Sequence, residues 1–272
     1  MISETYWLGK SVIVSGGSSG IGRAIAIAAA RSGARIGLIA RKAGPLEEVA
    51  ALIREAGGAV AVAACDVTDI ARVTEAIADC EHILGSADVA IASAGIHREA
   101  WPLDAATACE VIDVNVNGTI NFLAAVLPGM LARGQGAICG LASLAAVVGL
   151  PGNAAYCASK AAVAALFESL RLDCVPAGVR VTTAFPGFVD TPMITDAERA
   201  HGGVVTADDA ADRILRAIER GKAEVWFPWG TASGAWLARG LSPALRDHFL
   251  RQQPRMKDAQ AGTATDPQAD QC

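Results

Sequence analysis

The chain has 272 residues, 52% of them hydrophobic and 19% charged, with a formal net charge of −5. That apolar content excludes a disordered polymer and suffices for a wide sheet covered on both faces. The acidic balance excludes a basic field able to hold nucleic acid, so any phosphate binding has to be local.

The seven cysteines, at positions 65, 80, 109, 139, 157, 174 and 272, contain no CxxC pair. They read as small buried hydrophobes in a reducing compartment, not as disulfides or metal ligands. The N-terminal MISETYWLGK lacks a positive region followed by an apolar stretch, and no uninterrupted apolar run reaches bilayer-spanning length. A cytoplasmic location is the default expectation.

In chain order, β-branched apolar runs predict strands at 10–15, 34–40, 59–64, 87–92, 136–141, 179–185 and 223–227. Between them, helical periodicity predicts helices near 20–32, 45–56, 69–80, 107–132, 154–175 and 207–220. This alternation predicts an α/β fold: a single doubly wound Rossmann-type domain with a seven-stranded parallel sheet flanked by helices. Ligands of such sheets sit at the carboxyl ends of the strands. No linker divides residues 8–228, so one domain is expected over 1–256, with an amphipathic C-terminal segment at about 228–256. Residues 257–272 are polar and are expected to form a disordered tail.

After the first strand comes Ser15-Gly16-Gly17-Ser18-Ser19-Gly20-Ile21-Gly22, followed by a helical run. A strand-to-helix turn this rich in glycine lets backbone approach a pyrophosphate, whose charge the N–H groups of the helix start complement. Gly22 would allow close helix packing; a plain tight turn is the competing reading. The second strand ends in Ala40-Arg41-Lys42. A carboxylate near this point would suit the ribose 2′-hydroxyl of NAD, whereas the two cations suit the 2′-phosphate of NADP(H). Arg41 is favoured over Lys42 because its planar guanidinium can both stack on adenine and bond phosphate. After the third strand, Thr68 is expected to cap a helix with Asp69 in its first turn, and Asp66 with Val67 to stand beside the adenine.

Tyr156 and Lys160 are four residues apart on a predicted helix and so share one face. A phenol with a pKa of about 10 is a poor acid-base catalyst at neutrality, but a neighbouring ammonium stabilises phenolate and pulls that value down. Ser143, ending the fifth strand, can hydrogen-bond a carbonyl beside the phenol. Asn115 interrupts an apolar helix; it either holds a water linking Lys160 to solvent or is an amide satisfied within the core.

These residues resemble the short-chain dehydrogenase/reductase family over about 8–228, including Pro186-Gly187-Phe188-Val189-Asp190-Thr191 after the sixth strand. The resemblance implies that Tyr156 donates the proton in reduction and that Ser143 polarises the carbonyl. Lys160 bonds the nicotinamide ribose and acidifies Tyr156, and Asn115 completes a proton relay. It further implies that Ala94 and Gly95 approach the cofactor through backbone, and that Pro186, Gly187, Val189 and Thr191 hold the nicotinamide end. Arg41 matches the NADP(H)-preferring members. Ser15 replaces the family's usual Thr, and Ala92-Ser93-Ala94-Gly95 replaces Asn-Asn-Ala-Gly, which puts local bracing of the sheet in doubt.

The segment from Phe188 to about Val205, with Gly202 and Gly203, is expected to form a mobile lid. Phe188, Met193, Ile194, Leu144, Ala145, Leu150 and Gly152 are expected to make a mainly apolar pocket, with no cluster of arginine or lysine. The expected partner is therefore a small neutral or hydrophobic carbonyl or alcohol, such as a 3-oxoacyl or sphingoid-like ketone. Residues 226–251 hold three tryptophans and several arginines; they either pack on the domain or a partner subunit, or meet a membrane surface. A homodimer or homotetramer is implied by the resemblance. The competing function is a catalytically silent dinucleotide-binding sensor or scaffold, which would need no phenol beside an ammonium.

Overall fold

The computed structural model describes residues 2–194, 199 and 203–250. A short helix α1 (Glu4–Trp7) leads into β1 (Ser11–Ser15), followed by α2 (Gly20–Arg31), β2 (Arg35–Ala40), α3 (Ala43–Glu55), β3 (Val60–Ala64), α4 (Ile70–Leu84) and β4 (Val89–Ala92). Next come α5 (Ala105–Ile112), a π-helical turn (Asp113–Asn117), α6 (Gly118–Arg133), β5 (Gly136–Leu141), α7 (Ala154–Cys174) and β6 (Val179–Pro186). The short strands β7 (Val189–Asp190) and β8 (Val205–Thr206), then α8 (Ala207–Glu219), β9 (Glu224–Phe227), α9 (Trp229–Gly240) and α10 (Pro243–Leu250), complete the described chain.

The main sheet has the order β3-β2-β1-β4-β5-β6-β9, and every neighbouring pair is parallel. The seven strands thus form the expected doubly wound sheet, whose order reverses between β1 and β4. Side chains alternate across it. Val12 and Val14 enter a core with α2, α3 and α8, whereas Ile13 enters the opposite core with α4, α6 and α7. Both faces are covered, so the inner strands β2, β1, β4, β5 and β6 are buried almost end to end, while the edge strands β3 and β9 are only partly buried.

The run from Ala105 to Arg133 is long and apolar enough to cross a membrane. Its apolarity is explained by packing, since Phe122, Leu123, Val126 and Met130 are buried in the second core. Three local expectations need correction. Asp69, not Thr68, caps α4, its carboxylate accepting from Ala71 N–H and Arg72 N–H at 3.0 and 3.1 Å. Thr68 instead gives its N–H and hydroxyl to Asp66, because a carboxylate two residues upstream closes a tighter turn. Cys109 is exposed, unlike the buried cysteines 65, 80, 139, 157 and 174.

Close helix-to-sheet packing sets the position of α7. A Cβ on Gly140 of β5 would lie 2.3 Å from the Phe167 ring of α7, so only glycine admits this approach. The carboxyl end of β5 is thereby brought against the first turns of α7, where Tyr156 and Lys160 reside.

Candidate active site

The glycine turn forms a tight backbone cradle at the switch in strand order. Gly16 has φ +71°, and a Cβ there would stand 2.7 Å from Ala94 N; one on Gly22 would stand 2.4 Å from the Gly16 carbonyl oxygen. Ser19, the N-cap of α2, makes no side-chain capping bond, so no side chain competes for the first N–H groups of the helix. Gly20 faces Thr191, whose methyl would be 3.3 Å from an added Cβ, and Ile21 opens onto the main cavity. Ser18 lies in the turn between them.

The two departures from the family pattern compensate locally. The Ser15 hydroxyl accepts from Ser93 N–H at 3.2 Å and Ala94 N–H at 3.4 Å and donates to the Ile91 carbonyl at 3.5 Å. A hydroxyl therefore braces the end of β4. The small Ser93 is also what fits, since its Oγ would be only 2.9 Å from a Cβ on Gly22.

On the next strands, Arg41 is mostly exposed and reaches within 3.9 Å of Asp66. Lys42, also exposed, precedes α3. Asp66 accepts from the Thr68 N–H and hydroxyl at 3.0 and 2.8 Å, leaving its other oxygen towards Arg41. These bonds to Thr68, with the Arg41 guanidinium behind them, hold its carboxyl below the usual range against a modest burial cost. Val67 is buried against Gly118, while its carbonyl accepts from Asn121 Nδ2 at 2.9 Å.

At the other side of the switch, Lys160 is buried and donates from Nζ to the Leu141 carbonyl at 2.8 Å. Its ammonium stands 5.8 Å from the centroid of the Tyr156 ring, so the helical spacing does bring the pair together. Desolvation alone lowers the Lys160 pKa from 10.5 to about 8. Gly95 lies directly above, where a Cβ would be 3.1 Å from Asn115 Oδ1 and 3.5 Å from Lys160 Nζ.

Asn115 occupies the π-helical turn and is almost fully buried. Its Oδ1 accepts from Ile96 N–H at 2.7 Å, and its Nδ2 donates to the Ile96 carbonyl and to Ser159 Oγ, both at 3.0 Å. The side chain is thus satisfied within the core, tying the loop after β4 to α7. Ser143 accepts from Ala145 N–H at 3.1 Å and donates over a long 3.5 Å to the Pro186 carbonyl.

Ser143 and Tyr156 line one cavity of about 610 Å³, with Pro186, Gly187, Val189 and Thr191 along its cofactor-side wall. Gly187 N–H is held by the Phe227 carbonyl at 2.8 Å, and Val189 by pairing of β7 with β8. The expected apolar lining is present except for Gly152, which instead sits in a turn where its carbonyl accepts from Ala100 N–H at 3.0 Å. Residues 195–198 and 200–202 of the expected lid, and the whole expected tail, lie outside the described residues.

Sequence reasoning missed two parts of the wall. His97 meets Tyr156 edge to face at 4.7 Å between centroids, and its Nε2 donates to Oδ1 of the buried Asn153. Its place two residues past Ala94-Gly95, at the carboxyl end of β4, was the available signal. A second part comes from α9, α10 and the turn between them, including Thr231, Ala235, Leu237, Leu241 and Arg246. Arg246 adds a single cation to the lining, one that the sequence reading did not place in the pocket. Trp226 of the same region stacks on Phe185 at 3.7 Å, while Trp229 and Trp236 stay 76% and 56% exposed.

The chain as a whole is similar to known proteins. The family profile described as short chain dehydrogenase covers residues 10–202. The chain belongs to the short-chain dehydrogenase/reductase family. Among its relatives, an uncharacterized oxidoreductase of Myxococcus xanthus is 36% identical over 245 residues, spanning 89% of this chain and 97% of that protein. A 2-(S)-hydroxypropyl-CoM dehydrogenase 3 of Xanthobacter autotrophicus is 41% identical over 181 residues, 65% of this chain and 71% of its own. Levodione reductase has the same fold, with a TM-score of 0.78 at 23% identity over 83% of this chain and 98% of that one. A Sinorhizobium meliloti dehydrogenase/reductase gives a TM-score of 0.73 at 31% identity, covering 80% and 93%. As a family member, the chain is an oxidoreductase that uses a nicotinamide dinucleotide, and the glycine cradle, closed to any Cβ, fits that group.

The buried ammonium gives stability a defined pH dependence. Its folded value of about 8 lies below the ordinary 10.5, so between those limits the unfolded chain holds a proton that the folded chain has released. Folding stability then rises with pH across that window. Urea melts of the wild type and Lys160→Met should show the wild type gaining on the variant from pH 8 towards 10.5; a constant difference would contradict the buried-ammonium assignment.

Proposed function

We propose that this protein is an NADP(H)-dependent oxidoreductase that interconverts a hydrophobic carbonyl compound and its secondary alcohol. The observation that carries this reading is that Tyr156 and Ser143 open onto one mainly apolar cavity while the Lys160 ammonium is buried beneath the phenol. A silent sensor has no use for that combination.

In the reducing direction, Tyr156 gives its phenolic proton to the carbonyl oxygen, and Lys160 stabilises the phenolate left behind. Ser143 turns its hydroxyl from the long 3.5 Å bond at Pro186 to the same carbonyl oxygen, a cheap exchange because that bond is weak. Asn115 fixes the loop carrying Ile96 against α7 and so keeps Lys160 in register; a proton-relay role for it is supported by the family resemblance and not by these bonds. The bound dinucleotide supplies or accepts the hydride. Gly16, Ser18, Ser19, Gly20, Ile21 and Gly22 would hold its pyrophosphate; Asp66 and Val67 would flank its adenine; Ala94, Gly95, Pro186, Gly187, Val189 and Thr191 would hold its nicotinamide end. Arg41, with Lys42 beside it and no carboxylate at the end of β2, would bond the 2′-phosphate.

Two variants test the reading in a ketone-reduction assay. Tyr156→Phe should cut turnover by more than about a hundredfold with dinucleotide binding retained, and sustained turnover would remove the phenol from the chemistry. Arg41→Ala should weaken NADPH by about tenfold or more and leave NADH nearly unaffected, as expected for loss of a charge-assisted bond. Equal losses for both dinucleotides would reject the 2′-phosphate role.

A further inference from the structure

The groups lining the cavity differ in chemistry. Ser143 and Tyr156 are its polar candidates for catalysis, whereas Arg246 of α10 joins a lining that also includes apolar groups such as Ala235, Leu237 and Leu241. Arg246 is the only permanently charged side chain among the described residues that line the cavity, and it is partly buried. Among the described residues no carboxylate pairs with it, whereas Arg213 and Arg216 on α8 each have an aspartate one turn away. A guanidinium drawn against apolar surface loses hydration, and a ligand anion can replace that hydration through two parallel hydrogen bonds.

We infer that Arg246 forms an anion subsite in the pocket that Tyr156 and Ser143 line, so that the substrate is a ketone or alcohol with an apolar body and a carboxylate. This rests on the oxidoreductase reading above and refines its substrate class. One guanidinium matches the charge and planar geometry of a carboxylate; a dianionic phosphate would call for more than one cation. The mainly apolar remainder of the lining accounts for the hydrocarbon body, which gains by leaving water. An arginine stem can also merely cover apolar surface with its head in solvent, and that alternative makes a different prediction.

The test uses the full-length protein with NADPH and a graded series of methyl ketones ending in a carboxylate, each matched by its methyl ester. At the best-fitting chain length the wild type should prefer the acid over the ester by about tenfold or more in kcat/KM, and salt should shrink that preference. Arg246→Met, which keeps an apolar stem, should erase the preference through KM while ester turnover stays within about twofold; Arg246→Lys should restore part of it. Equal use of acid and ester by the wild type, or an equal loss of both in Arg246→Met, would overturn the subsite. If neither compound is turned over, the reductase reading fails on its own. Equilibrium binding of the same pair, followed by tryptophan fluorescence, then still decides the subsite. An acid preference lost in Arg246→Met upholds it, and no acid preference overturns it.

Discussion

A lysine ammonium kept away from water is the constraint around which the site is arranged. Lys160 gives up hydration for one strong bond to the Leu141 carbonyl at the end of β5. Burial leaves its proton more loosely held than that of an ordinary lysine. That position exists only because α7 lies close on the sheet, which in turn requires the absence of a side chain at Gly140 beneath Phe167. Helical spacing then sets the phenol of Tyr156 above the ammonium, facing the cavity.

The dinucleotide side depends on a second close approach, backbone against backbone. Gly16 abuts Ala94, Gly22 abuts Gly16, and the Ser15 hydroxyl ties the turn after β1 to the end of β4. Here a small residue set stands in place of the family's bulkier amides and threonine, and the end of β4 is braced by the Ser15 hydroxyl. The loop after β4 is also tied to α7 through Asn115, so the cofactor cradle and the Lys160 site are mechanically one unit.

Much of this was legible in the residue string. The strands fall within about two residues of their predicted limits, as expected of β-branched runs buried on both faces that present a strong, uniform signal. Tyr156, Lys160 and Ser143 were legible because spacing on a helix and placement at a strand end are local properties. The α9 and α10 part of the lining was not. The segment that becomes α9 is rich in glycine and alanine, and both of its tryptophans are exposed, so no clean period announced which side would close the pocket. Arg246 reaches the cavity through tertiary packing of elements distant in sequence, which spacing alone does not encode. The misplaced cap at Thr68 was a local competition between two hydrogen-bonding side chains, settled by the Asp66 turn.

The most direct test of the Tyr156–Lys160 pairing is the pH dependence of kcat/KM for ketone reduction in the wild type and in Lys160→Met. The wild type should lose activity as pH rises through about 8, where the buried ammonium releases its proton. Lys160→Met should be slow at every pH and show no break there. Superimposable profiles, or a full-rate variant, would show that the ammonium plays no part in the proton transfer.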